Sequence, residues 1–275
     1  MFFLLALPPC AQVDLAAQAL GALTGTPAID ARQILLRGAP FIAQWLEDSG
    51  PAQVAAQALR DATLVNWPLH EDALARVPQA LAARSFRFEN DGLWASDRHT
   101  ELVLPYSDIL LIARMRSDQA TETVTQTTER KTNTLVMLTT GMPIGRTVTT
   151  TDRQKSAQNH YFSLVFTADA AVRLPCEGLD YGGLPGPAQA SSFTNYTQLL
   201  TILAQKSPGA VVDARLERIA GKLQLQPGAP GHQRLEREGK STKVRSQSLQ
   251  FDNEDAALQA AHLLYLATRR QRAGG

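Results

Sequence analysis

The chain has 275 residues, 44% of them hydrophobic and 19% charged, a globular composition with length enough for about two domains. With 27 basic against 26 acidic side chains the net charge is +1, so no overall field draws the protein to nucleic acid or to an anionic membrane. The two cysteines, Cys10 and Cys176, exclude a disulfide framework and a four-cysteine zinc site, and no apolar run reaches the ~18 residues of a membrane-spanning helix.

Phe2–Leu7 is an apolar run closed by Pro8-Pro9 and reads as a buried strand. A signal peptide or lipoprotein anchor fits it poorly, because it lacks a basic n-region and small residues before Cys10. Gln12–Leu23 follows a helical period through Val13, Leu15, Ala16, Ala19, Leu20 and Leu23, with Gly25 placed to end it. Pro27 opens a second helix, Ile29–Arg37, stopped by Gly38. Pro40–Leu46 is a short strand. Ser49-Gly50-Pro51 starts a third helix, Ala52–Ala62, predicted to bury Val54, Ala55, Ala58 and Leu59, and Leu64–Leu69 closes the segment as a strand.

This β-α-α-β-α-β order, with Gly21-Ala22-Leu23-Thr24-Gly25, Asp30–Leu35, Gly38-Ala39-Pro40 and Ala55–Leu59, resembles the C-terminal domain of the bacterial ribosomal stalk protein and the similarly folded Clp-protease adaptor. The first resemblance implies a basic face on the first two helices that meets translation factors. The corresponding face here offers Gln12, Asp14, Gln18 and Gly21, with Arg32 and Arg37 as its basic residues, so electrostatic steering of an acidic partner is weak. The second implies a pocket for a substrate's amino terminus near the first helix, for which Asp14 is the candidate acid.

Residues 71–84 are alanine-rich, carry Pro78, and read as a linker with one short helix at Glu71–Arg76. From Ser85 the apolar period becomes two: Phe86 and Phe88 alternate with Arg87 and Glu89, Asn90-Asp91-Gly92 turns, and strands follow at Leu93–Ala95, Glu101–Pro105, Ile109–Met115, Leu135–Thr140, Arg146–Thr151 and His160–Thr167, with another at Arg173–Cys176. The polar stretches between them, rich in Thr at 121–128 and 147–151, are compatible with a long hairpin and with irregular loops. A helix at Asn195–Gln205, with Thr194 as N-cap, has the apolar stripe Tyr196, Leu199, Leu200 and Leu203. The run Phe86-Arg87-Phe88…Gly92-Leu93…Leu104-Pro105-Tyr106-Ser107-Asp108-Ile109 resembles the opening of bacterial pleckstrin-homology-like domains. That resemblance implies a β-sandwich closed by the helix. It does not carry over phosphoinositide binding, because the first turn, Glu89–Gly92, is acidic.

Residues 223–275 read as a basic, polar linker through Arg234–Arg245, a short strand at Leu249–Phe251, and a helix over Glu254–Arg272 with Ala257, Ala260, Ala261, Leu264 and Tyr265 on its apolar side. Such a helix docks on the second domain or on a partner.

Catalytic constellations are absent from the sequence. The five histidines are dispersed, and the nearest approach to a ligand set is Asp97, His99 and Glu101, which share a face in a strand but also suit a polar turn. Thr139–Gly145 has glycines four apart with no following lysine and reads as a turn. The expectation is therefore an α+β protein with a stalk/adaptor-like domain at 1–70, a linker at 71–84, a pleckstrin-homology-like domain at 85–222, and a basic linker and helix at 223–275. Its expected function is non-catalytic protein interaction in the cytoplasm, through a surface of Gln12, Asp14, Gln18, Arg32 and Arg37, with no cofactor, metal, specific nucleic acid, membrane span or small-molecule substrate. The rival readings are an enzyme using the loops around His99, Tyr106, Asp108 and His160, and a ribosome-associated factor.

Overall fold

The computed structural model describes residues 1–132, 145–223, 226–238 and 242–274, and the protein is of the α+β class. The expected strand at Leu135–Thr140 lies outside the described residues, as does all but the last residue of the Thr139–Gly145 turn. The chain divides into two compact units, one of residues 1–117, 160–224 and 254–275 and one of residues 118–159 and 225–253.

In the first unit, β1 (Phe2–Leu7) is the central strand of an antiparallel sheet ordered β2 (Phe41–Leu46), β1, β3 (Val65–His70). Its unbroken run of apolar residues reflects burial on both faces. Leu4 and Ala6 pack beneath helices α1 (Val13–Thr24), α2 (Ala28–Arg37) and α3 (Ser49–Asp61), while Phe3, Leu5 and Leu7 face a second core. Gly21 lets α1 approach the turn into α2, since a Cβ there would lie 2.7 Å from the Thr26 carbonyl oxygen. The buried face of α3 is Ala52, Ala55, Ala56 and Leu59, not the predicted Val54 and Ala58, and Val54 is 72% exposed. Spacing of i, i+3, i+4 and i+7 from Ala52 sets that phase, and small side chains bring the helix close to the sheet.

Residues 71–84, expected as a linker, form α4 (Asp72–Ala75) and β4 (Ala80–Ala82), and β4 pairs in parallel with β10 (Ala171–Pro175). The strands β8 (Leu111–Thr132) and β9 (Gly145–Phe166) are 22 residues long. In the first unit, Leu111, Ala113, Met115, Phe162, Leu164 and Phe166 project from one face of this sheet into the core that also holds Phe3, Leu5, Leu7 and Leu69. The opposite face, with Ile112, Val165, Val172 and Leu174, packs against the meander β5 (Ser85–Phe88), β6 (Gly92–Ser96), β7 (Glu101–Pro105) and against helix α5 (Ser192–Lys206). The N-cap of α5 is Ser191, whose hydroxyl accepts from the Thr194 amide at 3.3 Å. The helix therefore starts earlier than predicted, with the expected stripe Tyr196, Leu199, Leu200 and Leu203 buried. The short β11 (Val211–Asp213) pairs with β8, and α6 (Arg215–Ile219) follows it.

The final helix, α7 (Glu254–Gly274), is buried well beyond the predicted stripe: Ala257, Ala260, Ala261 and every residue from Leu263 to Thr268 are buried. Over Leu263–Thr268 the helix is buried on every side, as inside a core, and α7 lies in the one core shared by the β1 sheet and the β8–β9 sheet of this unit. The helix thus docks within its own chain. Arg173 anchors its start through Glu254 at 2.6 Å.

The second unit contains residues 118–132 of β8 and 145–159 of β9 together with β12 (Gln226–Glu238) and β13 (Thr242–Asp252). The Thr-rich stretches are strands: residues 119–129 of β8 pair with β13 in antiparallel register, from Gln119↔Asp252 to Glu129↔Thr242. The tail predicted as linker is thus a strand pair. None of the described side chains from 118 to 129 and 147 to 159 is buried. Without a buried face there is no alternation of apolar and polar residues for a sequence reading to find.

Candidate functional site

The residues of the predicted interaction surface all lie exposed on the helical side of the first sheet. Gln12 precedes α1, where its amide donates to the Thr63 hydroxyl at 3.2 Å. Asp14 stands in the first turn of α1 and Gln18 one turn on. Arg32, on α2, donates Nε to Asp14 at 2.8 Å, so the structure brings these two together and their charges meet each other. Arg37 occupies the last turn of α2, favourable for a cation, just before Gly38 takes the left-handed conformation with φ of 78° and closes the helix onto Leu35.

Of the five, Arg37 lines a groove of about 450 Å³. One wall is β2 and its approach, with Pro40, Phe41, Ile42 and Trp45; the others are Ile34 and Arg37 of α2, and Ala256, Ala260 and Leu263 of α7. Trp45 stays 46% exposed while its ring leans on Phe3 at 5.3 Å between centroids. Among the described residues no strand pairs with the outer side of β2. Its sequence, Phe41-Ile42-Ala43-Gln44-Trp45-Leu46, carries neither charge nor proline, the usual guards of a sheet edge. The opposite edge, β3, carries Pro68, which removes a donor and blunts it. A bulge at Leu4/Leu5 against β2 redirects the strand, and the Gln44 side-chain oxygen is buried without a hydrogen-bond partner.

Sequence reasoning reached Arg37 and missed the groove. Its walls come from residues 34–45 and 256–263, too far apart in the chain for any local pattern to join them. The one available signal was a strand carrying a tryptophan and neither charge nor proline.

Around the enzymatic reading the structure shows hydrogen bonds at residues 97–100, Tyr106 and Asp108. Asp97 accepts from the amides of His99 and Thr100 at 2.6 and 2.7 Å, so residues 97–100 form a turn and Asp97 is held below its ordinary carboxylate value chiefly by those two bonds. The Tyr106 hydroxyl donates to the Glu89 carbonyl at 3.1 Å, and burial, with the Glu89 charge second, pushes its pKa up. Asp108 accepts from the Ser107 hydroxyl. His160 lies in β9. Burial raises the thiol pKa values of Cys10 and Cys176, the reverse of what activates a nucleophile. Among the described residues no three His, Cys, Asp or Glu side chains gather as a metal site, and no helix is long and apolar enough to cross a membrane.

Comparison of the chain with protein-family models, with curated proteins and with solved structures returns no match.

Proposed function

We propose that the protein is a non-catalytic interaction module that captures an extended segment of a partner protein as an added strand on the free edge of β2. This reading keeps the resemblance of the first module to stalk and adaptor domains and of the second to pleckstrin-homology-like domains, read as interaction modules. The observation that carries it is the unguarded edge of β2 opening onto an apolar groove, beside a β3 edge that Pro68 blunts. Strand addition satisfies the open backbone donors and acceptors, and alternate side chains of the peptide fill the groove. Among the described residues Arg37 is the charged one in the lining, so the occupant is an apolar peptide with one acidic group at that end.

Selection of displayed peptides on the full chain, followed by amide hydrogen exchange, tests this. Selected peptides should alternate large apolar residues, carry an acidic group, and slow exchange along Phe41–Leu46. Arg37→Glu should weaken them about tenfold. Peptides that bind without protecting β2 amides, or indifferently to Arg37→Glu, refute the reading.

A further inference from the structure

At the C-terminal end of α7 a second cavity, of about 370 Å³, is lined by side chains from two distant parts of the chain. His70, Asp72 and Arg76 come from the end of β3 and from α4, and Arg269 and Arg270 come from α7. It shares no lining residue with the β2 groove.

The charges in this cavity are unbalanced. Three arginines line it against one carboxylate, Asp72, whose Oδ2 lies 3.1 Å from Nδ1 of His70, itself a lining residue. Arg269 is held in place by the Tyr265 hydroxyl at 3.4 Å, and that hydroxyl is fixed in turn on the Ala168 carbonyl at 2.9 Å. One cation at the end of α7 would answer the helix dipole. Arg76 is not on that helix, and its place with Arg269 and Arg270 in the wall of one cavity gathers like charges that a bound anion would relieve. The floor is apolar, from Leu69, Ala73 and Leu266.

We infer that this cavity binds a phosphate monoester. Three arginines less Asp72 leave two positive charges, which match a phosphate dianion. Guanidinium forks pair bidentately with its oxygens, and the Leu69–Leu266 floor accepts the apolar part of the molecule that carries it. A cavity of this size holds a small ligand or a single headgroup.

Calorimetric titration of the full chain with inorganic phosphate, pyrophosphate and adenosine monophosphate tests the inference, beside flotation with phosphatidylcholine vesicles with and without phosphatidic acid. Saturable binding of a soluble probe, weakened tenfold or more in Arg76→Gln and Arg270→Gln, supports a free phosphorylated ligand. Binding confined to phosphatidic acid vesicles, with the same loss in the variants, supports a lipid headgroup as its source. Both positions are exposed and the melting temperature should hold. Arg76→Lys and Arg270→Lys, which keep charge and lose the fork, provide a second pair, weakened in the same direction. No saturable binding of any probe at millimolar concentration, or binding that the arginine variants leave unchanged, overturns it. The peptide experiment on β2 reads a different site and decides neither outcome.

Discussion

Arg32 on α2 reaches Asp14 on α1 at 2.8 Å, and the bond closes the two helices across the surface that the sequence marks for interaction. Each charge cancels the other, so what remains of that surface is polar and its usable cation is displaced to Arg37, at the groove. Both partners of the pair are well exposed. Asp14→Ala should therefore change stability by less than about 1 kcal/mol in urea titration. It should leave capture of the β2 peptide intact while Arg37→Glu impairs it. Equal losses in the two variants would move the site from the groove to the helices.

The Ser163 and Tyr196 hydroxyls meet at 2.5 Å in the core between the β8–β9 sheet and α5. Burial drives the tyrosine pKa far up, so the phenol stays protonated. Tyr196→Phe strands the serine hydroxyl and should cost about 1–3 kcal/mol. Adding Ser163→Ala should recover part of that loss, and a double-mutant cycle by chemical denaturation measures the coupling. Strict additivity would show that the pair contributes nothing.

Gly183 stands against the backbone of β5: a Cβ there would fall 1.9 Å from the Phe86 carbonyl oxygen. Neither backbone can yield as a flexible side chain would. Gly183→Ala should destabilise the protein by at least ~2 kcal/mol and lower its melting temperature, as read by calorimetry. Gly50→Ala, in the first turn of α3 with nothing within 4 Å, is the control and should be neutral to stabilising.

His262 is half-buried on α7 with its ring edge toward Phe166 at 6.3 Å, and desolvation holds its pKa below the ordinary 6.5. Its folded pKa lies under its unfolded one, so above pH 6.5 the histidine leaves stability untouched. As the pH falls through 6.5 the unfolded chain takes up the proton first and stability declines, until the pH reaches the depressed folded value. Denaturation midpoints from pH 7.5 to 5 should show this slope, and His262→Leu should flatten it. The contribution of Asp97, whose pKa is also depressed, falls away only below its ordinary 3.8 and does not overlap that window.

The elements legible in the sequence were those with one wet and one dry face or with marked ends. Gly25 and Gly38 terminate α1 and α2 in the left-handed conformation, and Tyr196, Leu199, Leu200 and Leu203 line α5 as their spacing predicted. In α3, rich in alanine on several sides, the phase was misread because hydrophobicity favours Val54 while fit against the sheet favours Ala52 and Ala56. The segment 71–84 and the charged tail had no periodicity to offer. Their strands exist because partners far along the chain supply the hydrogen bonds, β10 for β4 and β8 for β13.

Local pattern alone determined the alternation of helices and strands in the first seventy residues, the strand-rich stretch after Ser85, and a C-terminal helix with an apolar side. Such patterns record which side of each element avoids water, a property of neighbouring residues. Only the tertiary structure decided that α7 lies in a core shared by two sheets, that among the described residues the outer edge of β2 is unpaired while β3 is blunted, and that Arg76 joins Arg269 and Arg270 around one cavity. Those relations join residues nearly two hundred positions apart. They arise when separate dry faces find one another, which no single stretch of sequence encodes.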